Sequence, residues 1–180
     1  MDPTPRPKVS VYIATSLDGY IAGPGDDLGW LDAFGASGED YGFEPFFESI
    51  DTMLMGRRTY DVVTNLPHPW PYGSKRTVVL TTQPGISRHG EEFRSGPLPV
   101  LLEELHTDGA RHVYADGGKV ITSLLAENLV DELQIQIMPV LLGAGVRLFG
   151  EDFPTRNLEL IATKSFASGV LSTHYKLRAD

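Results

Sequence analysis

The chain has 180 residues, 41% of them hydrophobic, and a formal net charge of −9, which suits one compact globular domain. It contains no cysteine, so disulfides, thiolate nucleophiles and cysteine-bound metals are excluded. The acidic balance argues against general nucleic-acid binding, and no apolar run is long enough to span a membrane. We therefore expect a protein that binds a small ligand and, without a signal-peptide pattern, a cytoplasmic one.

The first predicted element is a strand over Lys8–Ser16, where apolar and polar residues alternate. We expect residues 1–8 to be a flexible leader and residues 9–180 to be a single domain. After the strand, a turn at residues 17–25 leads into an irregular segment that ends near residue 39. A loop of this length is usually functional or mobile, and the alternative is a surface excursion with Trp30 folded back as a plug.

A short helix is predicted within residues 40–49, where phenylalanines recur at helical spacing. Pro45 is tolerated only in the first turn of a helix, so the helix begins no earlier than about Gly42. Asp40 or Tyr41 therefore lies near the helix start.

The most informative stretch is a buried strand at residues 52–55, followed by Gly56 and a helix over Arg57–Asn65. A strand that runs into a helix in this way collects free backbone N–H groups and a positive dipole end at one point. Arg57 and Arg58 add two guanidiniums there, although the chain as a whole is acidic. The pattern predicts an anion site, and a phosphorylated small molecule is its natural ligand.

A second junction follows the predicted strand at residues 77–80, which ends at the hydroxyls of Thr81 and Thr82. Open α/β sheets bind ligands at the carboxyl ends of their strands, so these hydroxyls are candidate ligand contacts. Threonines at a strand end also form caps and turns, and that alternative stays open.

A third junction follows the predicted strand at residues 112–115, where Gly117 and Gly118 precede a helical pattern. Glycines let the backbone approach a ligand closely, but a plain strand-to-helix turn explains the pair about as well.

The remaining predicted elements complete an α/β sandwich around a mixed sheet, without internal repeats. Asn128 is predicted to end the third junction's helix in the left-handed conformation. The other elements are a helix at residues 98–105, a strand at 133–138, a glycine-bearing connection at 139–150, and an antiparallel hairpin formed by 158–166 and 170–177.

Three junctions of one kind suggest a dinucleotide held along the edge of the sheet. The sequence has neither the G-x-G-x-x-G fingerprint after its first strand nor a G-x-x-x-x-G-K-[ST] loop. The usual Rossmann and P-loop designs are thus disfavoured, and another phosphate-binding fold is needed.

Five motifs in order carry a resemblance to a known family. Met-Gly-Arg-Arg-Thr-Tyr at residues 55–60 and Ser-Leu-Asp-Gly-Tyr-Ile-Ala at 16–22 resemble the dihydrofolate reductase-like superfamily. The stretches at 117–119, 129–133 and 139–149 resemble its RibD C-terminal branch more closely. The resemblance implies a three-layer sandwich with a mixed, mostly parallel central sheet and a C-terminal antiparallel hairpin.

The resemblance also implies NADPH as cofactor. Arg57 and Lys119 would face the 2′-phosphate, and Arg58 and Thr59 would meet the pyrophosphate. Ala14 would contact the nicotinamide carboxamide. The full set of cofactor-binding residues implied in this way is Ala14, Ile21, Gly56, Arg57, Arg58, Thr59, Thr81, Thr82, Gly117, Gly118, Lys119 and Val120. Asp116 is a departure, because dihydrofolate reductases typically carry a glycine there.

The catalytic candidates are Asp40 and, one turn later, Glu44, because the resemblance places a substrate-binding carboxylate on the helix before residues 52–55. The alternative is a helix cap and a solvated side chain. The five histidines have no metal-ligand spacing, so we expect no metal site.

The implied function is an NADPH-dependent reductase that transfers a hydride to a small heterocycle, of the riboflavin-biosynthesis (5-amino-6-ribosylaminouracil phosphate reductase-like) type. One alternative is a dihydrofolate or pterin reductase, and another is an NADPH-binding protein without turnover. The resemblance also implies a homodimer.

Overall fold

An eight-stranded sheet forms the middle layer of the protein, whose computed structural model describes residues 5–151 and 153–178. Helices cover both faces of this sheet, and a separate two-stranded sheet lies beside it. The strands are β1 (Lys8–Ser16), β2 (Tyr20–Ala22), β3 (Thr52–Gly56), β4 (Arg76–Leu80), β5 (Glu92–Arg94), β6 (His112–Asp116), β7 (Glu132–Met138), β8 (Val146–Arg147), β9 (Leu158–Ser165) and β10 (Leu171–Leu177). The helices are α1 (Asp32–Gly35), α2 (Phe43–Ser49), α3 (Arg57–Asn65), α4 (Leu98–Thr107) and α5 (Gly118–Ala126).

The strand order in the large sheet is β5-β4-β3-β6-β1-β7-β10-β9. All neighbours from β5 to β7 are parallel, whereas β10 pairs antiparallel with both β7 and β9. Because β1, β3, β4 and β6 are parallel, their carboxyl ends meet at one edge of the sheet. The predicted mixed, mostly parallel sheet with a C-terminal antiparallel hairpin is confirmed.

Side chains that alternate along the strands build two separate cores, one on each face of the sheet. On β1, Val9 and Val11 face the core that contains the buried leucines of α4 and the apolar side of α5. Tyr12 points to the opposite face, where it packs with Phe46 of α2 and Tyr60 of α3. The three-layer arrangement follows directly from this alternation.

Most predicted elements occur with boundaries within one or two residues, but six small elements were not predicted. β5 lies in a stretch with little pattern, and β2 and β8 pair with each other across more than 120 residues of sequence. α1 and two 3-10 turns, Pro24–Asp26 and Gly29–Leu31, fall in the segment that was predicted to be irregular. Two- to four-residue elements carry no periodicity, so tertiary contacts decide them.

Residues 6 and 8 of the predicted leader, residues 1–8, contact the rest of the chain. Arg6 makes a two-pronged ion pair with Asp131, with Nη1 2.7 Å from Oδ2 and Nη2 2.9 Å from Oδ1. Lys8 is the first residue of β1, and its ammonium lies 2.8 Å from Glu132. Residues 1–4 lie outside the described residues, and the division of the chain into a leader and a single domain stays a prediction.

Candidate functional site

A cavity of about 870 Å³ lies at the edge of the sheet where β1, β3, β4 and β6 end. It is large enough for most of a dinucleotide, and it runs between the N-termini of α3 and α5. All the residues named as cofactor contacts from the sequence line it: Ala14, Ile21, Gly56, Arg57, Arg58, Thr59, Thr81, Thr82, Gly117, Gly118, Lys119 and Val120. The three predicted junctions therefore converge on a single site.

The cavity wall also contains residues that the sequence did not reveal. Leu28 and Leu31 come from the segment after β2, Val63 comes from α3, and Ser95 and Gly96 follow β5. These residues are apolar or small and stand in loops or on a helix face already assigned to the core. No pattern in a single sequence distinguishes them from ordinary packing residues.

The two arginines at the start of α3 carry carboxylate partners in this structure. Arg57 donates from Nε to both oxygens of Asp61, at 2.8 and 3.0 Å, one turn along the same helix. Arg58 reaches across to Asp26, with Nη2 2.7 Å from Oδ1. All four side chains are partly exposed, so these ion pairs contribute little stability. A phosphate with more negative charge can therefore replace either carboxylate at low cost.

Lys119 gives the site a third positive charge. It is exposed at the first turn of α5, and it makes no ion pair or side-chain hydrogen bond within the part of the chain that is described. An anion bound between the N-termini of α3 and α5 would give the ammonium of Lys119 a partner.

The glycine pair at the start of α5 is packed too tightly for any side chain. Gly117 has a φ of +95°, and a methyl group on it would come within 2.3 Å of Thr59 Oγ1. A methyl group on Gly118 would come within 2.6 Å of the Arg147 carbonyl oxygen. Glycine here brings the two helix N-termini together, so the backbone of α5 forms part of the cavity floor.

The hydroxyl of Thr81 has a local role that can be seen in the structure. Thr81 Oγ1 accepts a hydrogen bond from the backbone N–H of Gln83 at 3.0 Å. This contact fits the turn-forming alternative, yet both Thr81 and Thr82 also line the cavity. The two interpretations are compatible, because a hydroxyl that shapes the turn still presents a lone pair and a proton to a ligand.

Asp116 is the acidic group at the end of β6 and lines the same cavity. Burial raises the pKa of its carboxyl to about 6, against a smaller lowering by hydrogen bonds from the Gly117 N–H and the Tyr72 phenol. Because side chains alternate along β6, Asp116 lies on the same face as Tyr114, the face of the sheet that α2 and α3 cover. In the sequence, Asp116 is notable only because it departs from the family pattern. Burial in the folded protein is what raises the pKa of its carboxyl.

The structure does not bring the two predicted catalytic carboxylates into this cavity. Asp40 is exposed and accepts hydrogen bonds from the backbone N–H groups of Gly42 at 2.9 Å and Glu44 at 3.2 Å. These bonds hold the pKa of the Asp40 carboxyl below its usual value. Asp40 thus makes the contacts expected of the cap alternative, and Glu44 is exposed on α2. A substrate role for either residue stays a prediction.

The described residues contain neither a metal-ligand cluster nor a helix suited to a membrane. No group of three or more histidine, aspartate or glutamate side chains is arranged to hold a metal ion. None of the described helices combines the length and apolar character that a membrane span requires.

The fold and the cavity together define an α/β protein with a cavity at the carboxyl edge of its sheet, lined by Arg57, Arg58 and Lys119. The sequence profile of the RibD C-terminal domain matches residues 7–172. The chain therefore belongs to the RibD C-terminal domain family.

Curated relatives span the chain to different extents. The uncharacterized protein YwjB of Bacillus subtilis (strain 168) is 34% identical over 170 residues, which are 93% of this chain and 97% of YwjB. The 2,5-diamino-6-ribosylamino-4(3H)-pyrimidinone 5′-phosphate reductase of Archaeoglobus fulgidus is 42% identical over 59 residues, which are 32% of this chain and 24% of that protein.

Solved structures confirm the fold. A protein of Shewanella sp. PV-4 named for riboflavin biosynthesis superposes with a TM-score of 0.89 at 34% identity, covering 96% of this chain and 99% of that chain. The dihydrofolate reductase of Enterococcus faecalis, solved with NADP(H), has a TM-score of 0.63 at 16% identity, covering 96% and 97%. The second likeness concerns the fold alone, and it confirms the predicted dihydrofolate reductase-like architecture.

Proposed function

We propose that the protein is an NADPH-dependent reductase that transfers a hydride to a ribosylaminopyrimidine of the riboflavin-biosynthesis type. The observation that carries the proposal is the single cavity lined by all the cofactor contacts named from the sequence. The family and the name of the Archaeoglobus relative, a ribosylaminopyrimidinone phosphate reductase, support the substrate class. A cytoplasmic location agrees with a biosynthetic role and stays a prediction.

The residues present fit the phosphates of NADPH. Arg57 and Lys119 provide two cations for the 2′-phosphate, and the hydroxyl of Thr81 lies on the same wall. Arg58 and the free N–H groups of α3 and α5 provide donors for the diphosphate. A side chain at Gly117 would clash with Thr59, so glycine there lets the N-termini of α3 and α5 lie close together.

When bound, NADPH supplies the hydride, and the tasks of the protein are alignment, exclusion of water and proton delivery. Ala14 and Ile21 form the end of the cavity assigned to the nicotinamide, and Leu28 and Leu31 shield it from solvent. Asp116 is the carboxyl in the cavity whose pKa, raised to about 6, lets it hold a proton near neutral pH. We assign to Asp116 the delivery of a proton to the nitrogen or oxygen atom beside the reduced carbon.

The proposal is tested by titrating the protein with NADPH, following nicotinamide fluorescence, and then adding candidate substrates. Loss of the reduced-nicotinamide absorbance with a ribosylaminopyrimidine phosphate supports the proposal. Loss with dihydrofolate instead would make the protein a pterin reductase, and binding without turnover would make it a cofactor-binding protein. Absence of NADPH binding would contradict all three functions.

The Arg57→Ala variant is expected to bind NADPH about 10- to 100-fold more weakly, because a charge-assisted contact to the 2′-phosphate is lost. Its affinity for NADH should change little, since NADH lacks that phosphate. Isothermal titration with both cofactors measures the difference. Arg58→Ala is the matched control and should weaken both cofactors alike, because the diphosphate is common to them. Equal weakening of both by Arg57→Ala would contradict the assignment.

We also propose that the protein is a homodimer and that β9 is part of the interface. β9 is the last strand of the large sheet, so one row of its backbone N–H and C=O groups has no partner strand within the described chain. All eight of its residues are exposed, including Leu160 at 53% and Ile161 at 50%. A second copy can pair with this edge around a twofold axis and cover these side chains.

The Ile161→Lys variant is expected to be monomeric, because it places a charge at the centre of the apolar edge. Size-exclusion chromatography with light scattering gives the molar mass directly. The control is Ile86→Lys, an equally drastic change at a residue that is 84% exposed in the loop before β5. A monomeric wild type, or a dimer that survives the Ile161 change, would contradict this interface.

A further inference from the structure

Gln136 is a polar side chain enclosed in the sheet without a hydrogen-bond partner. It lies in β7, its exposed fraction is 1%, and neither Oε1 nor Nε2 meets a donor or acceptor among the described residues. Burying an amide without partners is costly, so each such group in a folded protein needs an explanation. A ligand that supplies the missing hydrogen bonds is one explanation.

The register of the sheet places Gln136 beside the reactive end of the cavity. Its partner on β1 is Ala14, and directly paired residues of neighbouring strands point to the same face of a sheet. Ala14 lines the cavity at the end assigned to the nicotinamide. Gln136 does not itself line the cavity, but its strand partner Ala14 does, so Gln136 is one strand away from the end assigned to the nicotinamide.

A second unpartnered polar group lies at the same end of the cavity. The indole Nε1 of Trp30 is buried and has no acceptor within the described residues. Trp30 packs with Ala14 against the cluster formed by Tyr41, Met138 and Val170, and Met138 is two residues along β7 from Gln136. Leu31, its neighbour in sequence, is part of the cavity wall. Residues 28–34, here named the Trp30 segment, thus cover the face of the sheet that carries Gln136.

We propose that Gln136 selects the substrate by pairing its amide with the lactam edge of a pyrimidinone ring. A carboxamide offers one N–H donor and one C=O acceptor in a plane, and a ring –NH–C(=O)– edge is the complementary pair. The Trp30 segment moves aside to admit the ring, which then stacks beside Ala14. This inference rests on the proposed function and identifies Gln136 as the residue that recognises the substrate in that site.

The test is the Gln136→Met variant, which keeps the length of the side chain and removes both polar atoms. We expect KM for the ribosylaminopyrimidine phosphate to rise about 10- to 100-fold, because two neutral hydrogen bonds are lost. NADPH affinity should stay the same, and the melting temperature should stay the same or rise, since an unpartnered amide has gone. Gln134→Met is the matched control, on the same face and two residues further from the cavity edge, and should leave KM unchanged.

A ring probe tests the pairing itself. Binding of 5,6-diaminouracil and of its 1,3-dimethyl analogue, which lacks both ring N–H donors, is measured by ligand-observed NMR with and without NADPH. The wild type should prefer the unmethylated ring, and Gln136→Met should lose that preference.

Three outcomes would overturn the inference. They are an unchanged preference in Gln136→Met, a variant that loses stability while KM stays the same, and a wild type that binds NADPH but no pyrimidinone. If pyrimidinones bind selectively and NADPH does not, the inference stands and the proposed cofactor is wrong, so the two failures are distinguishable.

Discussion

The Asp116→Asn variant is expected to reduce its substrate at least about 100-fold more slowly than the wild type, with NADPH binding unchanged. The rate falls because asparagine fills the same space but cannot give up a proton, and a positioned general acid contributes about 10²- to 10⁴-fold. NADPH binding does not weaken, because Asp116 lines the cavity but is not one of the residues assigned to the cofactor. Single-turnover rates and a fluorescence titration measure the two effects separately.

The pH profile gives a second measurement of the same assignment. A general acid acts only in its protonated form, and burial raises the pKa of Asp116 to about 6, so kcat of the wild type should fall as the pH rises through about 6. The Asn variant should lack this step. Tyr72→Phe should shift the step to higher pH, because the Tyr72 phenol donates a hydrogen bond that favours the ionised carboxyl.

Asp40→Asn and Glu44→Gln are the controls, since both carboxylates were predicted from the sequence as catalytic and neither lines the cavity. Both variants should keep kcat. Asp40→Asn should leave the midpoint of urea unfolding nearly unchanged, because asparagine still accepts the capping hydrogen bonds. A large loss of kcat in either variant, together with full activity of Asp116→Asn, would return the catalytic assignment to α2.

That the proposed cofactor contacts share one cavity could be predicted, because their signals are local. The strand that ends at Gly56 runs directly into a helix that begins with Arg57 and Arg58. This junction alone brings together free N–H groups, a helix dipole and two cations. Three such junctions in one parallel sheet must meet at the same edge. Correct element boundaries near these junctions were therefore enough to place all the cofactor contacts in one cavity.

The residues proposed to act on the substrate could not be predicted, because the features that single them out are tertiary. Gln136 stands in an alternating strand where a glutamine on an exposed face would give the same sequence pattern. Residues 28–34, which lie on the same face, contain a 3-10 turn and the start of a short helix, and such short elements have no periodicity. Asp116 differs from an ordinary surface carboxylate only through the burial and contacts that raise its pKa. Such properties arise from neighbours that are distant in sequence.

The glycine-bearing connection after β7 makes a contact with a distant part of the chain. This contact, too, could not be predicted from the sequence. The sequence shows only that Gly143 and Gly145 are flexible positions. In the structure, a methyl group on Gly145 would lie 2.0 Å from the carbonyl oxygen of Ala22, and its φ of +139° is unfavourable for other residues. Asp18 fixes the other end of this contact by accepting a hydrogen bond from the Gly143 N–H at 2.7 Å.

The Gly145→Ala variant is accordingly expected to lose at least about 3 kcal/mol of unfolding free energy, since backbone strain and a clash with a backbone oxygen add together. Gly143→Ala is the matched control two residues away, where φ is +74° and nothing lies within 4 Å of the added methyl. It should lose only about 1 kcal/mol, the cost of a left-handed conformation. Urea unfolding measures both.

NADPH binding separates this packing effect from simple instability. The contact at Gly145 seats β8 against β2, and through it Ala22 and Val146 enter the cavity wall. Gly145→Ala should therefore weaken NADPH binding even at temperatures where the variant is fully folded, whereas Gly143→Ala should bind normally. Equal stability of the two variants would show that β2 and β8 can separate without cost, and the cavity would then need another explanation for its shape.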